Sequence, residues 1–244
     1  MLRRMKRDPS PSSPASEPPH PTQERPERLP GAREQLIAHG TRIFATKGYA
    51  AATTREICDA AGVNVAAIHY YFGDKEGLYR AALLQPIREM TAAFGRFDDP
   101  QLGFDAALRM FLAPFLTPPG GDDDADAHVM RMHLREMIEP SELFREITAQ
   151  TIVPAHNALA GMLARHAGLD RPDADIHQLA FAIVAMAHDY CMSREFMRLL
   201  APEVLDRPRA LESILDRLVG YSRALLDYET GRRTPNTAVR RAHR

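Results

Sequence analysis

T-T-R-E-I-C-D-A-A-G-V-N-V-A-A-I-H-Y-Y-F-G-D-K, residues 53–75, is the stretch on which the fold turns. Thr53 and Glu56 stand at capping-box spacing, so each side chain is expected to bond the other's backbone N–H and start a helix. Ile57, Ala60 and Ala61 give that helix an apolar face. Gly62 then permits the turn, because a residue without Cβ accepts positive φ. Asn64 is a good N-cap for a second helix, whose apolar positions Ala67, Ile68 and Phe72 recur at helical spacing. Two short helices joined this way make a helix-turn-helix, which lays its second helix in the major groove of DNA. The segment predicts DNA binding.

Working outward, I-F-A-T-K-G-Y (43–49), T-T-R-E-I (53–57), A-A-G-V-N (60–64), I-H-Y-Y-F (68–72) and D-K-E-G-L-Y (74–79) follow one another in fixed order. Residues 33–80 thereby resemble the DNA-binding domain of the TetR family of one-component transcriptional regulators. His69 departs from the pattern, since the family more often carries Tyr there; an imidazole is still able to donate to a phosphate or a base. The resemblance, with helix geometry, assigns Asn64, Val65, Ala66 and His69 to the groove floor. Asn can pair with adenine, and Val65 and Ala66 can touch a thymine methyl. Thr53, Thr54, Arg55, Tyr70, Tyr71 and Lys75 are expected to clamp phosphates, fixing register without reading sequence. Phe72 is read as core, and a purely packing role is the competing reading for Tyr70.

Composition agrees with an all-α protein. Ala, Leu, Arg, Glu and Met are plentiful among 244 residues, Trp is absent and β-branched runs are rare. Cys58 and Cys191 lie far apart and suggest reduced thiols in a cytoplasmic protein. No apolar run is long enough to span a bilayer, and the basic start (Arg3, Arg4, Lys6, Arg7) lacks the apolar stretch of a secretory signal. The net charge of −1 is unevenly spread. Residues 1–30 carry six Lys and Arg against four Asp and Glu, and residues 31–80 six against five. Residues 81–229 carry fourteen against twenty-three, and residues 230–244 five against none. Phosphate contact needs local positive charge, so the acidic middle is not where DNA binds. For the basic ends, plain solubility is an equally good explanation.

Four regions follow. Residues 1–30, dense in Pro, Ser and charge, read as a disordered arm. Residues 31–80 form the three-helix DNA-binding domain, its first helix spanning about 32–47 and stopped by Gly48. Residues 81–229 form a helical regulatory and dimerisation bundle, and 230–244 a basic flexible tail. A fourth helix begins at the Asp74 cap and contains Pro86, which should kink or split it. Beyond it the spacing predicts helices near 101–116, 125–138, 141–167 (kinked at Pro154), 173–200 and 208–229.

R-E-M-I-E-P-S-E-L-F (135–144) and I-V-P-A-H (152–156) resemble the regulatory domain of CecR-type TetR regulators. That resemblance implies a bundle that dimerises, binds a small-molecule inducer and so loosens a homodimer from a palindromic double-stranded operator. Met110, Met137, Met186, His133 and His188 are the candidate inducer contacts, methionine being deformable enough to line a pocket; ordinary core is the competing reading. Leu211, Ile214, Leu218 and Leu225, at three/four spacing on the last helix, are the candidate dimer stripe. The helix at 173–200 is apolar nearly all round between Leu179 and Ala187, which predicts burial on both sides. His133, His156, His177, His188 and Cys191 form no recognised ligand motif, so neither metal nor cofactor is expected. G-x-S-x-G, H-E-x-x-H, P-loop and G-x-G-x-x-G patterns are absent, and the acidic run 122–126 lacks the Gly and closing Glu of an EF-hand. An enzyme or a non-specific architectural DNA binder are the alternatives to a regulator. An enzyme would show turnover, and an architectural protein would lose affinity with salt equally for every sequence.

Overall fold

A computed structural model of the chain describes residues 31–116 and 123–233, and among them every regular element is helical. The expected arm 1–30, the joint 117–122 and the tail beyond 233 lie outside the described residues. α1 (Ala32–Ala51), α2 (Thr54–Ala61), α3 (Ala66–Phe72) and α4 (Lys75–Ala93) build the N-terminal unit. Within α1 the backbone leaves helical geometry at Gly48 (φ 80°, ψ 166°), so the expected stop is there, with one more turn after it. α4 does not split at Pro86; it runs on to Ala93, giving up only the bond that the missing N–H would have made.

The second unit contains α5 (Phe104–Leu116), α6 (Asp123–Ile138), α7 (Glu142–Ile147), α8 (Val153–His166), α9 (Ala174–Met192), α10 (Arg194–Leu200) and α11 (Ala210–Arg233). α7 and α8 are joined by a π-turn over Thr148–Ile152. There the Val153 N–H reaches back five residues to the Thr148 carbonyl. Pro154, just beyond, has no N–H for a regular bond, so the wider turn replaces the expected kink. The helix expected over 173–200 breaks at Ser193 into α9 and α10. α11 extends to Arg233, whose guanidinium reaches Asp173 (2.5 Å) and Glu229 (2.9 Å), so residues 230–233 belong to the helix and not to a loose tail.

Two apolar cores result. One gathers Leu36, Phe44, Ile57, Ile68, Leu78 and Leu83 from α1–α4, and also takes Met132 from α6 and Phe144 and Ile147 from α7. A core boundary therefore does not fall at residue 80: α1 packs on α6 as well as on α2 and α4. The other core fills the bundle with Phe94, Phe111 and Phe115, Leu159 and Leu163, and Ile176 and Ile183. Each such side chain withdrawn from water contributes roughly 1.5–3 kcal/mol before entropy is counted.

The dimer stripe requires a correction. Ile214 and Leu218 are 1% and 2% exposed inside the bundle core, Leu225 packs against it, and of the four only Leu211 lies on the surface. An α-helix has one stripe per face, and this one is spent within the chain. The uncovered face of α11 instead carries Tyr221, Ala224 and Tyr228. On α9, Leu179, Ala180, Ile183 and Ala187 are buried while Phe181 (64% exposed), Ala182 and Ala185 face outward. The expected burial on both sides of this helix is met on one side only.

Candidate nucleic-acid interface

α2 begins where the sequence places it. The Glu56 N–H donates to Thr53 Oγ1 (3.2 Å), but the reciprocal half of the capping box is missing. The Glu56 carboxylate instead takes Lys47 Nζ at 2.6 Å, tying α2 to the end of α1. Gly62 closes α2 in the left-handed region (φ 68°), and the Val63 N–H returns to the Cys58 carbonyl (3.0 Å). Asn64 Oδ1 accepts from the Ala66 N–H (3.0 Å), which fixes the entry to α3. With that oxygen committed to the cap, the amide NH₂ is the edge that Asn64 offers outward, so a paired contact to adenine would have to share the oxygen.

The two sides of α3 differ sharply. Ala67 and Ile68 are buried, while Val65, Ala66, His69 and Tyr70 (49%) are exposed on the opposite side. His69 Nδ1–H donates to the Gly73 carbonyl (2.7 Å), capping the helix it belongs to. In the neutral ring Nε2 is then an acceptor, and it donates to a phosphate or base only as imidazolium. Tyr70 and Tyr71 meet edge to face at 4.9 Å. Tyr71 and Phe72 are half-buried, the latter beneath the Arg33 guanidinium. Thr53 and Arg55 are exposed and Thr54 half-buried beside α3 on the α2 side.

Lys75 has a larger part than a phosphate clamp. Its ammonium donates to the Tyr49 and Ala52 carbonyls (2.9 and 3.0 Å) and sits 4.4 Å above the Tyr49 ring. It locks the end of α1 to the first turn of α4 and keeps one N–H in hand. Asp74 caps α4 by accepting from the Gly77 N–H (2.8 Å). Gly77 is required by contact, since a Cβ there would stand 1.9 Å from the Phe72 carbonyl oxygen. Tyr49 and Gly77 were not singled out from sequence, although K-G-Y and D-K-E-G mark them.

From Lys75 a chain of contacts leads into the second unit. The Tyr49 ring lies 5.0 Å from that of Tyr79 on α4. The Tyr79 hydroxyl donates to Glu136 Oε1 on α6 (2.7 Å), and the Ser141 N–H donates to Oε2 (2.8 Å) at the start of α7. Burial, then this bond, holds the Tyr79 hydroxyl far above the usual tyrosine range. His133, also on α6, faces two carbonyls, Val129 (2.9 Å) and Leu83 (3.2 Å), and so ties α6 to α4.

One of the five expected inducer contacts lines a groove at the end of α6. Met137 is exposed and lines a groove of about 430 Å³ with Glu136, Phe144, Thr148 and Val153. Met110, Met186, His133 and His188 are not in that lining. Met110 is exposed on α5 near Gly95, and Met186 packs against the bundle core. His188 senses His133 electrostatically; burial first, and that neighbour to a lesser degree, push its pKa down, while Asp189 opposes them. Sequence reasoning missed Thr148 and Glu136 altogether.

Residues 36–82 match the family described as bacterial regulatory proteins, tetR family. Residues 105–227 match the C-terminal domain of the HTH-type transcriptional dual regulator CecR. The CecR dual regulator of Shigella flexneri is 32% identical over 158 residues, covering 58% of this chain and 67% of that protein. The transcriptional repressor AcnR of Corynebacterium glutamicum is 44% identical over 60 residues, which cover 25% of this chain and 32% of that one. A TetR-like transcriptional regulator from Rhodococcus sp. RHA1 shares the fold, with a TM-score of 0.57, 18% identity, and coverage of 80% of this chain and 96% of that one. With a capped helix-turn-helix at one end and a CecR-type bundle over half its length, the chain belongs to the TetR family of transcriptional regulators, non-enzymatic DNA-binding proteins.

Proposed function

We propose that the protein is a homodimeric, ligand-responsive repressor that acts in the cytoplasm on a palindromic operator. The observation that carries this reading is the outward face of α3, where Val65, Ala66, His69 and Tyr70 stand exposed on a short helix capped at both ends. Val65 and Ala66 offer apolar contact to a thymine methyl, and the Asn64 NH₂ and His69 Nε2 offer hydrogen bonds. Thr53, Thr54, Arg55, Tyr70, Tyr71 and the remaining N–H of Lys75 set the register on the phosphates.

Pairing of two copies is supported by the unpartnered faces of α9 and α11, which carry Phe181, Ala182, Ala185, Tyr221, Ala224 and Tyr228. A two-fold axis through such a face presents one α3 to each half-site, about 34–36 Å apart or a multiple of that. The repressor AcnR, 44% identical over 60 residues, favours repression, whereas the dual regulator CecR, whose C-terminal domain matches residues 105–227, leaves activation as the second reading. The test is titration of the purified protein against its own promoter region and a random duplex at moderate salt. Protection of two half-sites on the promoter alone supports a sequence-specific dimer. Equal affinity for both duplexes returns the protein to a non-specific binder.

A further inference from the structure

We propose that the groove between the end of α6, α7 and the π-turn is an effector site for a small cationic amphiphile: an apolar body carrying an N–H-bearing ammonium group. The proposal deepens the ligand-responsive reading and rests on it only for the consequence at the operator, not for binding to the protein by itself.

A buried carboxylate without an ion pair and a buried hydroxyl without a partner define the ligand's head. Among the described residues the buried carboxylates are Glu136 and Glu229, at 4% and 7% exposure. Glu229 is neutralised by Arg233 (2.9 Å) and Arg232 (3.4 Å). Glu136 receives only two neutral donors, the Tyr79 hydroxyl and the Ser141 N–H, and no ion pair reaches it among the described residues. A buried charge without a counter-charge is costly, and each carboxylate oxygen still has a lone pair to give. On the π-turn, Thr148 Oγ1 is buried with no hydrogen-bond partner, whereas the Thr151 hydroxyl donates to the Ile147 carbonyl one turn before it (2.6 Å). Both Glu136 and Thr148 line the groove. An ammonium ion supplies what both lack: positive charge and several N–H donors.

The remaining lining selects the body. Met137, Phe144 and Val153 present apolar surface, and the Arg145 guanidinium nearby is already engaged by Glu142 (3.2 Å). A volume of about 430 Å³ accepts an alkyl chain or a small ring system. Occupation would be felt at the DNA, because the carboxylate that meets the ammonium is the one that holds Tyr79, which packs on Tyr49 beneath Lys75.

The experiment uses octylammonium chloride as probe and sodium octanoate as its chain-matched, charge-reversed control, titrated calorimetrically into the full-length protein without DNA. Saturable binding of one octylammonium per chain is expected, with octanoate at least about tenfold weaker. Thr148→Val should weaken octylammonium about five- to tenfold through the lost acceptor. Glu136→Gln should erase the preference for the cation. Because Glu136→Gln disturbs the Ser141 contact, Val153→Trp is the companion variant: it fills the groove, leaves that network intact, and should abolish binding at an unchanged melting temperature. Equal binding of octanoate, no binding of octylammonium, or octylammonium binding indifferent to both Thr148→Val and Val153→Trp overturns the site. Calorimetric binding that passes these tests but leaves operator affinity unchanged overturns the ligand-responsive reading and leaves the site standing.

Discussion

The N-terminal unit and the helical bundle are held by different physics. In the first, each junction has a dedicated polar device: Thr53 at α2, Gly62 and Asn64 across the turn, Asp74 and Lys75 at α4. In the second, Ser141 and Asp173 cap α7 and α9 in the same way, but apolar bulk sets the arrangement between helices, with four aromatic rings of α5 and the segment before it (Phe94, Phe97, Phe111, Phe115) clustered at 4.7–6.1 Å. A DNA reader must hold a few side chains in register with base edges, which demands fixed local geometry. A bundle that changes shape needs only complementary volume. The comparison implies that a methyl group should be ruinous in one unit and harmless in the other.

Glycine to alanine makes the sharpest contrast. Gly77→Ala places a Cβ 1.9 Å from the Phe72 carbonyl, a clash with backbone that no rotamer relieves. A loss of more than about 3 kcal/mol is expected, with melting of α3 and α4. Gly161→Ala, in the middle of α8 with open space at its Cβ, should instead stabilise by about 0.4–1 kcal/mol. Thermal denaturation followed by circular dichroism separates the two; similar melting temperatures would erase the distinction between the units.

The same contrast explains what was legible in the sequence. The helix-turn-helix could be read because its caps are specific residue types at fixed spacing, and Thr53, Gly62 and Asp74 stand where the pattern puts them. The reciprocal capping bond failed because Lys47, nine residues earlier, competes for Glu56. Periodicity gave the bundle helices but not their partners. The stripe Leu211, Ile214, Leu218, Leu225 is apolar whether it meets another helix of the same chain or a second copy, and only packing decides. Thr148 and Glu136 were invisible because nothing in the sequence reveals which carboxylate finds a cation or which hydroxyl finds a carbonyl.

Dimerisation tests the bundle's uncovered face. Phe181→Asp puts a charge on the exposed side of α9, where His156 stacks at 4.6 Å on the ring, away from the buried Ile183 side. The fold should survive with helicity unchanged, while sedimentation shifts to the monomer and operator affinity drops at least about a hundredfold, since one α3 reads only half a site. An Ile214→Asp control should unfold the bundle instead, because that residue lies in the core. A Phe181→Asp protein that still sediments as a dimer would move the interface elsewhere.

Within the reader, effects of about 1–3 kcal/mol should divide by role. Arg55→Ala should weaken binding to every duplex and lower the salt slope by about one, with stability unchanged. Val65→Ser should change which base pair is preferred and leave the salt slope alone. Lys75→Ala should do something neither does: lower operator affinity and the melting temperature together, by about 1.5–3 kcal/mol in stability, because two carbonyls lose a charged donor. Quantitative gel-shift titrations at several salt concentrations, beside thermal melts, distinguish the three.

The smallest effect expected belongs to the bundle and concerns pH. Burial, and neighbouring positive groups to a lesser degree, push down the pKa of His156, His166 and His188. A histidine with a depressed folded-state pKa is easier to protonate once unfolded, so its contribution to stability is fully present above the unfolded value of about 6.5 and is lost as pH falls through it toward the folded value. The bundle should therefore melt a few degrees lower at about pH 5.5 than at pH 7.5, in a shift roughly additive over three sites. His188→Gln should remove part of that dependence. His39 lies on α1, outside the bundle, so His39→Gln should leave the bundle's dependence as it was. A pH profile that His39→Gln flattens more than His188→Gln would place the titrating groups in the reader and reverse this part of the comparison.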